Sequence, residues 1–419
     1  MQEKLLQFIW QGKYFESRNL ITEQGEPVTI LDPGSLNDHQ GPDFRDARLV
    51  INGTLWAGNI ELHIRTSQWH QHHHTHDPRY RNVILHVVWE NDDPVLSLAI
   101  PTLVLQPHVS VMLLDRYAML MKEPDEVSCS KQLEEVPGQV WQEWLQDLVT
   151  ERLNRKSSEL LGILPQTRNN WEELTWWWLA RHFGGPVNAA FFEQVARSIP
   201  FLLISKYRNQ LIRLEALLLG QANLLEASHA DPYVQLLQRE YQFLQAKHQL
   251  KPVHGQAQFL RMRPAGFPTI RLAQLAAFLQ TRQNIHSRLI ASTQLKELEA
   301  MLDITANDFW HYHYRLEEPT PYQPKHIGRD MIHHLIINGI APLVYAYGKH
   351  QQLPAIRQQA LNWLARLPAE ENQVCREWKR WGIVPASAAE SQSLLELRKL
   401  YCHNRRCLEC RIGNYLLNR

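Results

Sequence analysis

At about 100–200 residues per domain, a chain of 419 residues holds two or three domains. Hydrophobic residues make up 44% and charged residues 21%, and 44 Lys and Arg stand against 43 Asp and Glu, a net charge of +1. That balance creates no strong long-range field. It argues against a general nucleic-acid coat protein, so contact with a polyanion has to come from a local basic patch.

MQEKLLQFIWQGKYF has the pattern of a short amphipathic helix over roughly residues 3 to 11, not of a signal peptide. From about 28 to 107, short runs split by turn residues (VTILDPG, ARLVINGTLW, NIELHI, NVILHVVWEND, IPTLVLQP) predict a mostly antiparallel sheet. VSVMLLDRYAMLMK predicts a helix, followed by a loop to Pro137. Beyond it, long segments such as WQEWLQDLVTERLNRKSSELLGIL and NWEELTWWWLARHFG place apolar residues at three- and four-residue steps. The fold class is α+β, with a sheet domain over 1–125, an irregular all-α domain over 137–395 and a cysteine knuckle over 396–419. The longest apolar run, LIINGIAPLVYAY, is too short and broken to span a bilayer. Five cysteines, three of them clustered, do not form a secreted disulfide framework. A soluble, cytoplasmic protein with no membrane partner is expected.

The chemistry concentrates in GPDFRDARLVINGTLWAGNIELHI, residues 41–64. Asn52-Gly53 between two alternating runs is a tight-hairpin signal. In the second strand Glu61, His63 and Arg65 share one face and Ile60, Leu62 and Ile64 the other. The plain reading is a half-buried sheet with a solvated polar side. The sharper one joins Asp43 to Glu61 and His63. A two-residue turn alone sets Asp43 opposite Leu62, on the wrong face. One bulge in the second strand, with Gly58 the candidate, sets it opposite His63 and on the face of Glu61. Two carboxylates so placed bind Mg²⁺ or Mn²⁺, and a basic group two residues beyond the second acid contacts the activated water or a phosphate. Pro42-Asp43 with Glu61-Leu62-His63 resembles the motif of the PD-(D/E)XK nucleases, with His63 where Lys is usual.

SQWHQHHHTHDPRYRNVILHVVWE follows. His72 and His74, with Asp77, are candidate ligands or phosphate contacts, and an extended segment brings His72, His74 and His76 to one face. His70, His73 and His76 read as a polar loop and His86 as a hydrogen-bonded core histidine. At the other end Cys402-x4-Cys407-x2-Cys410 offers three thiolates to one metal, with His403, Cys375 or Cys129 as the fourth ligand. Zinc and an iron–sulfur cluster both remain open for it. Arg261, Arg263 and Arg271 in RMRPAGFPTIR are candidate phosphate-binding residues, with packing between helices the competing explanation. Trp176, Trp177 and Trp178 point about 100° apart on a helix, which favours core packing over a base-stacking platform.

Several of these phrases, together with IRLEALLLGQANLL, LIINGIAPLVYAYG and YCHNRRCLECRIGNYLL, resemble an uncharacterised bacterial family, domain-of-unknown-function family 2851, over nearly the whole chain. That resemblance implies no activity. The motif implies a divalent-metal-dependent nuclease or phosphodiesterase using Asp43, Glu61 and His63, with nucleic acid as partner. Two alternatives stand beside it: a non-catalytic nucleic-acid-binding or scaffold protein with a degenerate nuclease fold, and a zinc hydrolase centred on the histidines.

Overall fold

The computed structural model describes residues 1–37, 39–93, 100–123, 125–227, 230–260 and 266–419. The protein is mixed α/β, with an N-terminal sheet and a larger helical region. It divides into two compact units. The first comprises Met1–Trp144, Arg380–Ile383 and Leu397–Arg419, and the second Leu145–Lys379 and Val384–Glu396. The expected boundaries shift accordingly. The sheet unit extends past 125, and the cysteine segment is not a separate knuckle but folds into that unit. Its terminal helix supplies the reason, because Leu417 is buried in the same core as Leu6, Leu49, Leu62 and Val87.

Helix α1 (Glu3–Gln11) buries Leu5, Leu6, Phe8, Ile9 and Trp10 at helical spacing, as the pattern requires. Among the described residues the sheet has seven strands: β1 (Leu20–Ile21), β2 (Pro27–Asp32), β3 (Ser35–Leu36), β4 (Phe44–Ile51), β5 (Thr54–Arg65), β6 (Val83–Glu90) and β7 (Thr102–Val104). Their order is β1-β2-β4-β5-β6-β7, with β3 also pairing β4. The pairings up to β5 are antiparallel, whereas β5–β6 and β6–β7 are parallel. The sheet is therefore mixed. The run VILHVVW is apolar on both faces because parallel strands are covered on both sides.

The β4–β5 hairpin turns at Asn52-Gly53, both at positive φ, with Ile51 opposite Thr54. The register slips once, between Ala47↔Gly58 and Phe44↔Ile60, so the extra residue lies in the first strand and not in the second. Asp46 is the kink, held at φ +58°. Gly58 has a different task. A Cβ there would come within 2.5 Å of Ile84 Cγ2 and 2.7 Å of the Asn82 carbonyl oxygen, so glycine lets β6 approach β5. Gly58→Val is expected to destabilise the protein by about 1–3 kcal/mol, read from urea unfolding. A midpoint unchanged from the wild type would refute this role.

The second unit is built of helices, including Trp171–Phe183, Gly185–Arg197, Leu211–Gln221, Pro232–His248 and Pro268–Thr281. Trp176 and Trp178 are buried in its core, and Trp177 is half-buried beneath Arg197, which settles the tryptophan run as packing. Among the described residues no helix is long and apolar enough to cross a membrane.

Candidate metal centre

The bulge at Asp46 decides the geometry of the site. Continuing the slipped register by one residue sets Asp43 beside Glu61. The Asp43 backbone N–H donates to Glu61 Oε2 at 3.1 Å, and the Leu62 N–H donates to Asp43 Oδ2 at 3.0 Å. Gln7, on α1, donates to Asp43 Oδ1 at 2.9 Å. Upstream, Gly41 at φ +110° turns the chain, and the Asn37 side chain donates to the Pro42 carbonyl at 2.8 Å. Both Asp43 carboxylate oxygens thus accept hydrogen bonds from the protein. Asp43 orients Glu61 through its backbone.

The polar face of β5 is not solvated. Glu61 is 6% exposed and His63 1%. The cover is the crossover from β5 to β6, residues 66–82, a length that parallel pairing demands. It carries the histidines. Helix α2 (Gln68–Gln71) ends at His72, His73 adopts a left-handed conformation at φ +60°, and a 3₁₀ turn follows over His74–His76. The segment is not extended, so His76 does not join His72 and His74. The reversal at His73 instead turns the two flanking imidazoles to the same place. The buried Trp69 ring packs near the rings of His74 and His86 and, edge-on, against His63.

Three imidazoles converge there. His63, His72 and His74 each present a ring nitrogen, and all three nitrogens lie within 4.8 Å of one another. Among the described residues no other group of three or more His, Cys, Asp or Glu side chains meets that distance. Glu61 Oε1 lies 3.3 Å from His74 Nε2 and 3.5 Å from His63 Nε2. His74 Nε2 is buried without a hydrogen bond, since its approach to Glu61 lacks the required geometry. His63 Nδ1 meets His86 Nε2 at 2.9 Å, leaving His63 Nε2 turned toward His72 Nδ1 at 3.2 Å. His86 was legible only as a core residue, but its ring holds His63 Nδ1 by a hydrogen bond. Gln7 and Tyr80 were also missed as site residues. Tyr80 stacks on His74, with ring centroids 3.8 Å apart.

Burial dominates the electrostatics. It holds His63, His74 and His86 neutral, with pKa values pushed down to about 2, 4 and 3, and neighbouring imidazoles add to the effect. Burial raises both Asp43 and Glu61 well above the ordinary carboxylate range, and for Glu61 the Asp43 charge adds to it. Burial also raises Tyr80 to about 12, so it stays a phenol at neutral pH. Asp77 stands apart. It caps the 3₁₀ turn Pro78–Tyr80, and Arg79 Nη2 lies 2.6 Å from its Oδ2, which lowers its pKa to about 2.

The other predicted sites disperse. Arg271 lies in the helix Pro268–Thr281, where it donates to Gln274 Oε1 at 2.9 Å and burial lowers it to about 10, so it is a packing residue. Arg261 and Arg263 lie outside the described residues. His403 points outward, with 68% of its side chain exposed and Nδ1 3.3 Å from Glu126 Oε1.

A family model described as "Protein of unknown function (DUF2851)" matches residues 3–373. The chain belongs to that family. No curated protein and no solved structure matches it. The DUF2851 match includes every residue of the imidazole cluster and ends before Cys402, Cys407 and Cys410.

Proposed function

We propose that the first unit is a metal-dependent hydrolase of phosphodiesters, with one transition-metal ion held by His63, His72, His74 and Glu61. The observation that carries this reading is the approach of three ring nitrogens to within 4.8 Å, with Glu61 Oε1 beside two of them. The donor set fits such an ion. Three imidazoles and one carboxylate suit Zn²⁺ or Mn²⁺, whereas Mg²⁺ prefers oxygen ligands and retained waters. The unpartnered His74 Nε2 fits as well, because a coordinating lone pair needs no proton. The earlier expectation of an ion between Asp43 and Glu61 is thereby recentred on the histidines, with Asp43 as a positioning residue.

When bound, the ion supplies Lewis-acid activation of a water and of a phosphoryl oxygen. The chain does the rest. His63 Nδ1 is held by His86 Nε2, which fixes the ring, and the tautomer that donates from Nδ1 would leave the Nε2 lone pair for the ion. Asp43 and Gln7 hold Glu61 in place, and the Tyr80 ring seals the buried side of His74. His72 is exposed, so the open side of the site faces solvent and a large substrate can reach it. The choice of phosphodiesters rests on Pro42-Asp43 and Glu61-Leu62-His63 standing side by side on neighbouring strands.

The test is metal analysis of the purified full-length protein, followed by assays on bis(p-nitrophenyl) phosphate and on single- and double-stranded DNA and RNA. Zn²⁺ or Mn²⁺ should support cleavage and Mg²⁺ should not. A protein that binds the ion and cleaves none of these substrates would leave a non-catalytic binding role. Failure to bind an ion at the histidines would end the proposal.

A further inference from the structure

Four of the five cysteines meet in the first unit, none of them in a disulfide. Cys402 ends the turn Leu397–Cys402, Cys407 opens a 3₁₀ turn, and Cys410 caps the helix Arg411–Asn418. This tail is tied to the segment that contains Cys129. Arg398 and His403 pair with Glu126, and Arg405 donates to the carbonyls of Met121 and Glu123. Cys129 and Cys407 pack against one core. The Cys402 thiol feels those of Cys129, Cys410 and Cys407, and the Cys129 thiol feels those of Cys410 and Cys407. Cys375, the fifth, lies in the other unit.

The surroundings are arranged for sulfur that carries charge. The backbone N–H groups of Ile412 and Gly413 point at Cys410. Gly413 is obligatory, since a Cβ there would meet the Cys407 carbonyl oxygen at 2.1 Å. Two buried donors without any other partner border the thiols, Trp144 Nε1 at Cys410 and Ser128 Oγ at Cys407. Donors around a metal-bound thiolate orient it and offset its charge. Buried free thiols are the bland alternative, but they would leave these donors idle.

We infer that Cys129, Cys402, Cys407 and Cys410 form a tetrahedral Zn²⁺ site that fastens the C-terminal tail to the sheet unit. Cys129 takes the fourth position, not His403.

The experiment uses full-length His72→Ala/His74→Ala protein, which empties the histidine site, refilled with Zn²⁺ alone after chelation. About one equivalent of zinc should remain. Cys129→Ser and Cys407→Ser should each abolish it, and His403→Ala should retain it. Cobalt substitution should give sulfur-to-metal charge-transfer absorption that Cys129→Ser removes. The four thiols should resist alkylation in the native protein and react after chelation, which tests the site without any variant. Absence of zinc, zinc that survives Cys129→Ser, or iron with inorganic sulfide in its place would overturn the assignment. Zinc here with none at the histidines would fail only the proposed hydrolase.

Discussion

His74→Ala is expected to empty the histidine site and to lower phosphodiester hydrolysis at least about 100-fold, since even outer partners of metal ligands cost 10–100-fold. His74 is the most telling choice among the ligands. Its Nε2 is buried and unpartnered, 3.3 Å from Glu61 Oε1, so it contributes nothing to a local hydrogen-bond network that its removal would break. Its pKa of about 4 means that the ring is already neutral at neutral pH, so binding need not remove a second proton from it. No other histidine of the turn replaces the missing donor, because His76 is exposed and outside the cluster. His76→Ala is the matched control and should leave metal content and rate unchanged. Thermal melts with and without chelator provide a second readout. Chelation should lower the wild-type midpoint by more than that of His74→Ala, whose remaining response reports the cysteine site, and equal responses in the two proteins would count against the histidine site.

Glu215→Gln is expected to remove a pH dependence of stability amounting to about 3 kcal/mol. Glu215 lies in the helix Leu211–Gln221, fully buried. Its Oε2 accepts from Tyr233 Oη at 2.6 Å and from Trp310 Nε1 at 3.1 Å, while its Oε1 has no partner. Burial raises its pKa from 4.5 to about 7, against the smaller opposing effect of the two donors. A raised folded-state pKa means that the folded protein holds the proton more tightly than the unfolded chain. The stabilisation is therefore complete below about pH 4.5 and is lost as pH rises through 7. Glutamine keeps the shape and an acceptor but cannot ionise. The difference in unfolding free energy between the two proteins should be small at pH 5 and should favour Glu215→Gln by the full amount at pH 9. Denaturant titrations across that range measure it, and a difference that does not change with pH would exclude the assignment.

How much of this was legible depends on the range of the interactions involved. Helix α1 was readable because Leu5, Leu6, Phe8, Ile9 and Trp10 recur at helical spacing, and spacing is a local property. The hairpin was readable because Asn52-Gly53 states its own turn geometry. The slip was not. A bulge can enter either strand, and only the packing of Phe44 and Ala47 into the core, with Gly58 pressed against β6, selects Asp46 as the kink. The parallel pairing of β6 had a visible signal in the unbroken apolar run VILHVVW, preceded by a connection long enough for a crossover.

The amino-acid order by itself determined the division into sheet-forming and helix-forming stretches, the hairpin, and the presence of ligand-type side chains at Asp43, Glu61, His63, His72 and His74. Those properties follow from backbone preference and side-chain chemistry, which need no distant partner. Tertiary structure alone decided which of these side chains meet. It turned Asp43 onto backbone donors, brought His72 and His74 over His63 through a left-handed residue, and recruited His86 and Gln7. It also carried Cys129 to thiols more than 270 residues away. Long-range convergence is set by how buried faces pack, and no window along the chain contains that information.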